Sequence, residues 1–489
     1  MSRRLLAVAA AVALASCAVG PDFQPPAVPA GAGYTPEKLA ATTATDVVGG
    51  AAQHFNLGED IPGEWWSLFH SPALNALVED ALKHNPDLTV AQASLRQAHE
   101  NTLATEGGFF PSIGAQFTHQ REKFNGAAFG QPQEYGLFSL NTGEVTVGYA
   151  PDVFGGTRRQ VEASEAAETY QRFQLEAAYL TLTSNVVAAA IQEASLRAQI
   201  AATQDIVKAE SDQLDLLKHQ FELGAVARSA VLQQTAILAQ AKATLPGLQK
   251  QLAQQRDRIA ALAGRFPNQP PGQTFELAAL TLPQVLPVSL PSRLVEQRPD
   301  MRAAEATLHQ ASAEIGVATA NMLPQFNLTG DIGTEATTLG SMFAADTGIW
   351  SLAAGVTQPL FHGGTLLHVK RAAEAAYDAA AAQYRGTVLG AFQNVADTLR
   401  ALQSDADALQ ADDAAERSAV ESLGLARDQY RLGAVSYLDL LNAETTYQQA
   451  RIALVQAQAA RYADTAALFQ ALGGGWWHRT DVAQNQHQD

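Results

Sequence analysis

Four stretches of the chain alternate apolar and polar side chains with a period of two. Ile113, Ala115 and Phe117 alternate with Ser112, Gln116 and Thr118, and Val145, Val147 and Tyr149 alternate with Thr146 and Gly148. Phe326, Leu328 and Ile332 alternate with Asn327, Thr329 and Asp331, and Trp350, Leu352, Ala354 and Val356 alternate with Ser351, Gly355 and Thr357. Successive side chains of a strand point to opposite faces, so each stretch predicts a two-faced strand of roughly 10 residues, the length a tilted membrane-spanning strand needs. A half-buried strand of a soluble sheet alternates in the same way, and the pattern alone leaves both open. A polar, glycine-rich loop from Lys123 to Gly143 and a shorter one from Gly333 to Ile349 predict two hairpins. Four strands cannot close a barrel, and open edges in lipid leave backbone groups without partners. In a membrane they would be pooled between chains, as a dimer of eight strands or a trimer of twelve.

Elsewhere the pattern is helical. From Gly156 to about Leu223, and from Gly364 to about Leu432, there is no proline and little glycine. Nearly 70 residues of helix, at about 1.5 Å each, would reach about 100 Å. Leu223-Gly224 and Leu432-Gly433 end these runs, because glycine takes the left-handed cap conformation without a Cβ clash. A return helix follows each turn, ending near Gly264 and Gly473. Eight alanines between Lys370 and Ala382 favour helix and let backbones approach closely. The fold class expected is mainly α with a transmembrane β part, the alternative for the helices alone being a coiled-coil rod.

These segments recur in order. Asn85-Pro86-Asp87 opens a segment that ends at Phe110-Pro111, and Arg298-Pro299-Asp300 opens one that ends at Leu323-Pro324, both proline pairs lying 213 positions apart. Gln220-Phe221-Glu222-Leu223-Gly224-Ala225-Val226 answers Gln429-Tyr430-Arg431-Leu432-Gly433-Ala434-Val435 at an offset of 209. Landmarks in one order at a nearly constant offset predict an internal structural repeat. Residues 61–264 form the first copy and residues 292–475 the second. The proline-rich stretch 265–291 is a linker that cannot be helical throughout. Residues 17–60, rich in Gly, Pro, Ala and Thr, read as an extended tether. Residues 476–489 form a polar tail.

The N-terminus changes the picture. Arg3 and Arg4 precede an apolar run from Leu5 to Ala15, which is too short to span a bilayer and has the order of a secretory signal peptide over residues 1–16. Leu14-Ala15-Ser16-Cys17 resembles the lipobox of bacterial lipoproteins, which implies lipid attachment at Cys17, the one cysteine in the chain. Ala18, in place of the Asp that retains lipoproteins on the inner membrane, implies the outer membrane. Loss of residues 1–16 removes two arginines and no acid, taking the formal charge from −17 to −19. Nucleic acid is excluded as a partner on charge. The acidity fits either simple solubility or a lumen that attracts cations.

Recognisable catalytic patterns are missing from the chain: no GxSxG elbow, HExxH, phosphate loop or GxGxxG. His362 and His368, six apart, fall on different sides of a helix and make no metal pair. No catalytic residue, metal or cofactor is expected beyond the lipid on Cys17, and the chain reads as a conduit and not an enzyme.

Trp65-Trp66 with Phe69 and Leu74, Arg298-Pro299-Asp300 with Ala304, Glu305 and Ile315-Gly316, Pro359 with Phe361 and Gly363-Gly364, and the terminal Ala471-Leu472-Gly473-Gly474-Gly475-Trp476 carry a resemblance over nearly the whole mature chain. They resemble the TolC-like outer-membrane efflux proteins, specifically the NodT-type lipoprotein branch. The resemblance implies a homotrimer with a twelve-stranded outer-membrane β-barrel, continued by a twelve-helix periplasmic α-barrel. It implies as partners a periplasmic adaptor, an inner-membrane pump of the resistance-nodulation-division or major-facilitator type, and outer-membrane lipids. The function implied is the exit duct of a tripartite system exporting small toxic compounds or drugs. Protein secretion through an ABC exporter and a pore-less periplasmic spacer are the alternatives. Some members carry two acids one turn apart on the second return helix. Here these positions are Asp439 and Asn442, with Leu438 beside them, and they are the expected periplasmic gate. A solvated carboxylate at a helix start is the other reading of Asp439. The turns at Leu223, Gly224, Leu432 and Gly433 resemble the tips where adaptors dock.

Overall fold

The computed structural model describes residues 18–27, 33–37, 40–125 and 134–479. In chain order the elements are β1 (His54–Leu57), α1 (Pro72–His84), α2 (Pro86–Glu106), β2 (Ser112–Asn125), β3 (Glu134–Tyr149), α3 (Gly156–Glu222) and α4 (Arg228–Leu262). They continue with β4 (Val285–Val288), α5 (Pro291–Gln297), α6 (Pro299–Ala320), β5 (Gln325–Ala336), β6 (Gly348–Thr357), α7 (Thr365–Arg431) and α8 (Tyr437–Ala471). Helices α3 and α7 are each 67 residues long, and α4 and α8 each 35. No described helix is long and apolar enough to cross a membrane. The described residues divide into two compact units, one built on 18–26, 94–125, 134–171 and 303–384, the other on 40–93, 172–302 and 385–479 with 27 and 33–37.

The first unit holds an antiparallel sheet of order β2-β3-β5-β6, so β2 and β6 are its edges within the chain. Residues paired across strands share a face. Ala115, Val145, Ile332 and Trp350 form one such row, and Gln116, Glu144 and Gly333 lie in the next row, on the opposite face. The apolar face is open: Ile113, Ile332, Trp350 and Leu352 are all strongly exposed. The other face carries polar pairs, Gln116 with Glu144 and Ser351 with Asp331. The hairpins are longer than alternation predicts. Much of the expected loop Lys123–Gly143 is strand, with Lys123 paired to Leu137, and β5 runs on to Ala336. Beyond the apolar stretch both faces mix polar and apolar side chains, with Leu137 opposite Lys123 and Phe138 opposite Glu122, so backbone pairing continues where side-chain contrast fades.

The second unit holds the aromatic core. Trp65 and Phe69, on a short 3-10 turn, are fully buried, and Trp65 packs against Phe469 of α8 with ring centroids 5.5 Å apart. Trp476 Nε1 donates to Gln297 O at 2.6 Å. The Asn-Pro and Arg-Pro landmarks have a local purpose here. Asn85 Nδ2 donates to Leu262 O at 3.0 Å, and Arg298 Nη1 donates to Ala471 O at 2.7 Å, so each satisfies an orphan carbonyl at the end of a return helix. Helix α4 continues through Pro246, at the cost of one backbone bond.

The later part of the expected tether is packed and not free. β1 pairs in parallel with β4, Gln53 is buried and donates to Thr465 Oγ1 at 2.9 Å, and buried Arg461 donates to Leu402 O at 2.7 Å and Thr42 Oγ1 at 3.2 Å. The linker region is likewise anchored, through buried Phe275, Leu277, Leu282 and Leu286. Short apolar positions spaced among prolines bury without any regular periodicity, which is why the pattern does not reveal them.

Candidate functional site

The helix-hairpin tips gather the polar chemistry of the second unit. At the end of α3, Gly224 has φ +74°, with Ala225 N donating to Gln220 O at 2.8 Å and Gly224 N to Phe221 O at 2.9 Å. At the end of α7, Gly433 has the same φ of +74°, with Ala434 N donating to Gln429 O at 2.8 Å and Gly433 N to Tyr430 O at 3.0 Å. Both are Schellman caps, which require a left-handed residue. Leu223 and Leu432, one position before each glycine, are each 84% exposed. Two apolar side chains are thus presented to solvent at corresponding places.

The return helices begin differently. Helix α4 starts after Ala227, which offers no side-chain cap. Helix α8 starts with a capping box: Asp439 N donates to Ser436 Oγ at 3.3 Å, while Asp439 Oδ2 accepts from Ser436 N at 3.0 Å and Ser436 Oγ at 2.7 Å. These hydrogen bonds hold the Asp439 carboxyl below the usual range. Asp439, Leu438 and Asn442 are all exposed. The helix-start reading of Asp439 is therefore realised within the chain, and its carboxylate stays charged and open to solvent.

Just inside the tips lies a cluster that the sequence patterns do not single out. Glu210 of α3, Gln234 of α4 and Glu444 of α8 are buried between the two hairpins. Gln234 Nε2 donates to Glu210, Tyr437 Oη donates to Gln234 Oε1, and Gln448 Nε2 donates to Glu210 Oε1 at 2.6 Å. Arg427 of α7 lies 3.6 Å from Glu444 Oε1, and Glu444 Oε2 accepts no hydrogen bond from the described residues. Burial raises the Glu444 carboxyl to about 7, the charge of Glu210 adding to the rise and Arg427 opposing it. Glu210 is raised too, by burial, against the pull of the Gln234 and Gln448 amides. Two carboxyls with one cation between them cannot both ionise freely in such a place. The signal in the sequence is faint, because polar residues on long helices usually face water.

Among the described residues, no group of three or more His, Cys, Asp or Glu is placed to hold a metal ion. Cys17, the expected lipid site, lies outside the described residues.

Comparison with known proteins places this architecture. The family model for the outer membrane efflux protein matches residues 77–265 and 290–474. The chain is 28% identical to the toluene efflux pump outer membrane protein TtgC of Pseudomonas putida, covering 99% of this chain and 98% of that protein. It is 26% identical to nodulation protein T of Rhizobium leguminosarum bv. trifolii, covering 95% of each, in accord with the NodT-type resemblance. The outer-membrane channel OprN superposes with a TM-score of 0.83 at 28% identity, over 94% of this chain and all of that one. With its two-faced sheet, its paired long helices and a family model matching most of its length, the chain belongs to the outer membrane efflux protein family.

Proposed function

We propose that this efflux-family protein works as a homotrimer, lipid-anchored through Cys17, whose four strands per chain pool into a twelve-stranded barrel in the outer membrane. The observation that carries this is the open sheet: a largely exposed apolar face, and edges at β2 and β6 that no strand among the described residues covers. In lipid such edges are satisfied only by other copies. The equal lengths of α3 and α7, and of α4 and α8, support an internal repeat in which each chain contributes two helical hairpins to a periplasmic tunnel.

The mechanism is conduction without catalysis. Small toxic compounds or drugs enter from an inner-membrane pump, and the name of TtgC as a toluene pump component favours small apolar cargo over secreted protein. The tips close the duct at rest. Three copies of Asp439, each ionised and fixed by its capping box, would ring the aperture, with Leu438 and Asn442 completing the constriction. A periplasmic adaptor, seated on the exposed Leu223 and Leu432 beside their glycines, would bias the tips toward an open packing.

The test is crosslinking in intact cells followed by recovery of a tagged copy. Recovery of an adaptor with a proton-driven pump is the expected result, and recovery of an ABC exporter would move the reading to protein secretion. For the gate, single-channel recording of Asp439→Ala trimers is expected to show weaker cation selectivity and altered conductance. Unchanged traces would remove Asp439 from the constriction.

A further inference from the structure

The outward face of the sheet changes character along its length. From the row Ala115, Val145, Ile332 and Trp350, the same face of β2 continues toward the hairpin turn through Phe117, His119, Arg121 and Lys123, because side chains two apart share a face. These three basic residues are exposed. Glu122 and Glu335, at this end, lie on the other face: Gln120 Nε2 donates to Glu122 Oε2 at 3.0 Å, and Thr142 Oγ1 donates to Glu335 at 3.5 Å. His119, Arg121 and Lys123 thus stand on the apolar side, with Glu122, Glu144, Asp331 and Glu335 on the polar side. The opposite, helix-proximal end of the apolar face bears Ile113, Tyr149, Phe326 and Val356 and no charge.

The depth of these residues follows from strand geometry. An apolar band of about 25 Å, crossed by strands tilted about 40° that rise about 3.3 Å per residue, takes roughly 10 residues. Counted from the exposed Phe110 at the helix end of β2, that band ends near Gln120. Arg121 and Lys123 then stand at headgroup level, about 7 Å apart along the strand, with His119 at the boundary. His119 is steadied there by Asn141, whose Oδ1 lies 2.7 Å from its Nδ1.

We infer that Arg121 and Lys123, with His119 below them, form a binding ladder for the phosphate groups of the glycolipid in the outer leaflet. The inference rests on the membrane reading of the sheet. A guanidinium offers a planar fork to phosphate oxygens and an ammonium a compact charge. Cations on the lipid face are costly within the hydrocarbon and favourable only where anionic headgroups meet them. The ladder would fix the height of the barrel and give each protomer a lipid collar.

The experiment uses the full-length protein extracted from outer membranes in mild detergent. Glycolipid retained per chain is measured by phosphate content and mass spectrometry for wild type, for Arg121→Ser with Lys123→Ser, and for Arg121→Lys. The double variant is expected to retain about thirtyfold less, taking about 1 kcal/mol for each of the two basic residues near an anionic surface, and the lysine variant to keep most of it. Glu122→Gln, on the opposite face, is expected to behave as wild type. Equal retention by the double variant, equal binding of dephosphorylated glycolipid, or displacement by equimolar inorganic phosphate would each overturn the ladder. Heat-modifiable migration is scored on the same samples. If the proteins are heat-modifiable, the glycolipid result judges the ladder alone; if none is, the membrane reading falls and takes the ladder with it.

Discussion

A carboxyl with no hydrogen-bond partner on one oxygen is an unusual thing to place between two hairpins, and Glu444 makes the tips sensitive to pH. Its packed-state value of about 7 lies above the ordinary 4.5, so the packed tip binds the proton more tightly than an opened one. The packing it supports is complete at acid pH and weakens as pH rises from about 4.5 through 7. Hydrogen-exchange protection over residues 427–448, taken relative to the intrinsic rate at each pH, is expected to be greater at pH 5 than at pH 8, and Glu444→Gln should flatten that dependence. A flat wild-type profile would show that Glu444 is ionised in the packed state. Asp439 could be singled out ahead of the structure because the family resemblance carries an acid at that place after the second glycine turn. Glu444 could not, since Arg427 and Glu210, whose charges act on its carboxyl, come from two other helices and become its neighbours only once the helices pack.

At the scale of elements, the glycine turns were the most legible features, because a left-handed cap leaves only one comfortable residue. The prediction there is a contrast between two glycines of the same region. Gly433, at φ +74°, should lose about 1–2 kcal/mol of stability on substitution to valine, the cost of forcing a side chain into that conformation. Gly424, within α7 and with open space around its added Cβ, should gain up to about 1 kcal/mol as alanine. Thermal unfolding of the purified variants measures both, and a gain at Gly433 would contradict the cap. The hairpin lengths were less legible. Alternation reports contrast between faces, and Leu137, Ser139 and Asn141 pair on with none. Short β1 and β4 escaped entirely, since four residues beside prolines and turns carry no period.

For the whole molecule, the open edges at β2 and β6 make the assembly measurable. Single cysteines at Gln116 of β2 and Ala353 of β6, on the same face by register, should form disulfides between copies and give a covalent trimer on a denaturing gel. A ladder stopping at two chains would support an eight-stranded closure instead. Helix lengths, turn positions and the order of segments could all be read ahead of the structure, because each is written locally. The packing of residues 40–57 could not, because it depends on partners at the far end of the chain.

That last feature bears on time. Gln53 reaches Thr465 across 412 positions, and Arg461 reaches back to Thr42 across 419. Contacts so distant in sequence cannot form until nearly all of the polypeptide has been synthesised and delivered, and closing loops of that size is slow. The first segment to emerge is thus the last to settle. A long unfolded interval in this segment would suit the lipid attachment proposed at Cys17, and it exposes the nascent chain to aggregation unless holding chaperones accompany it.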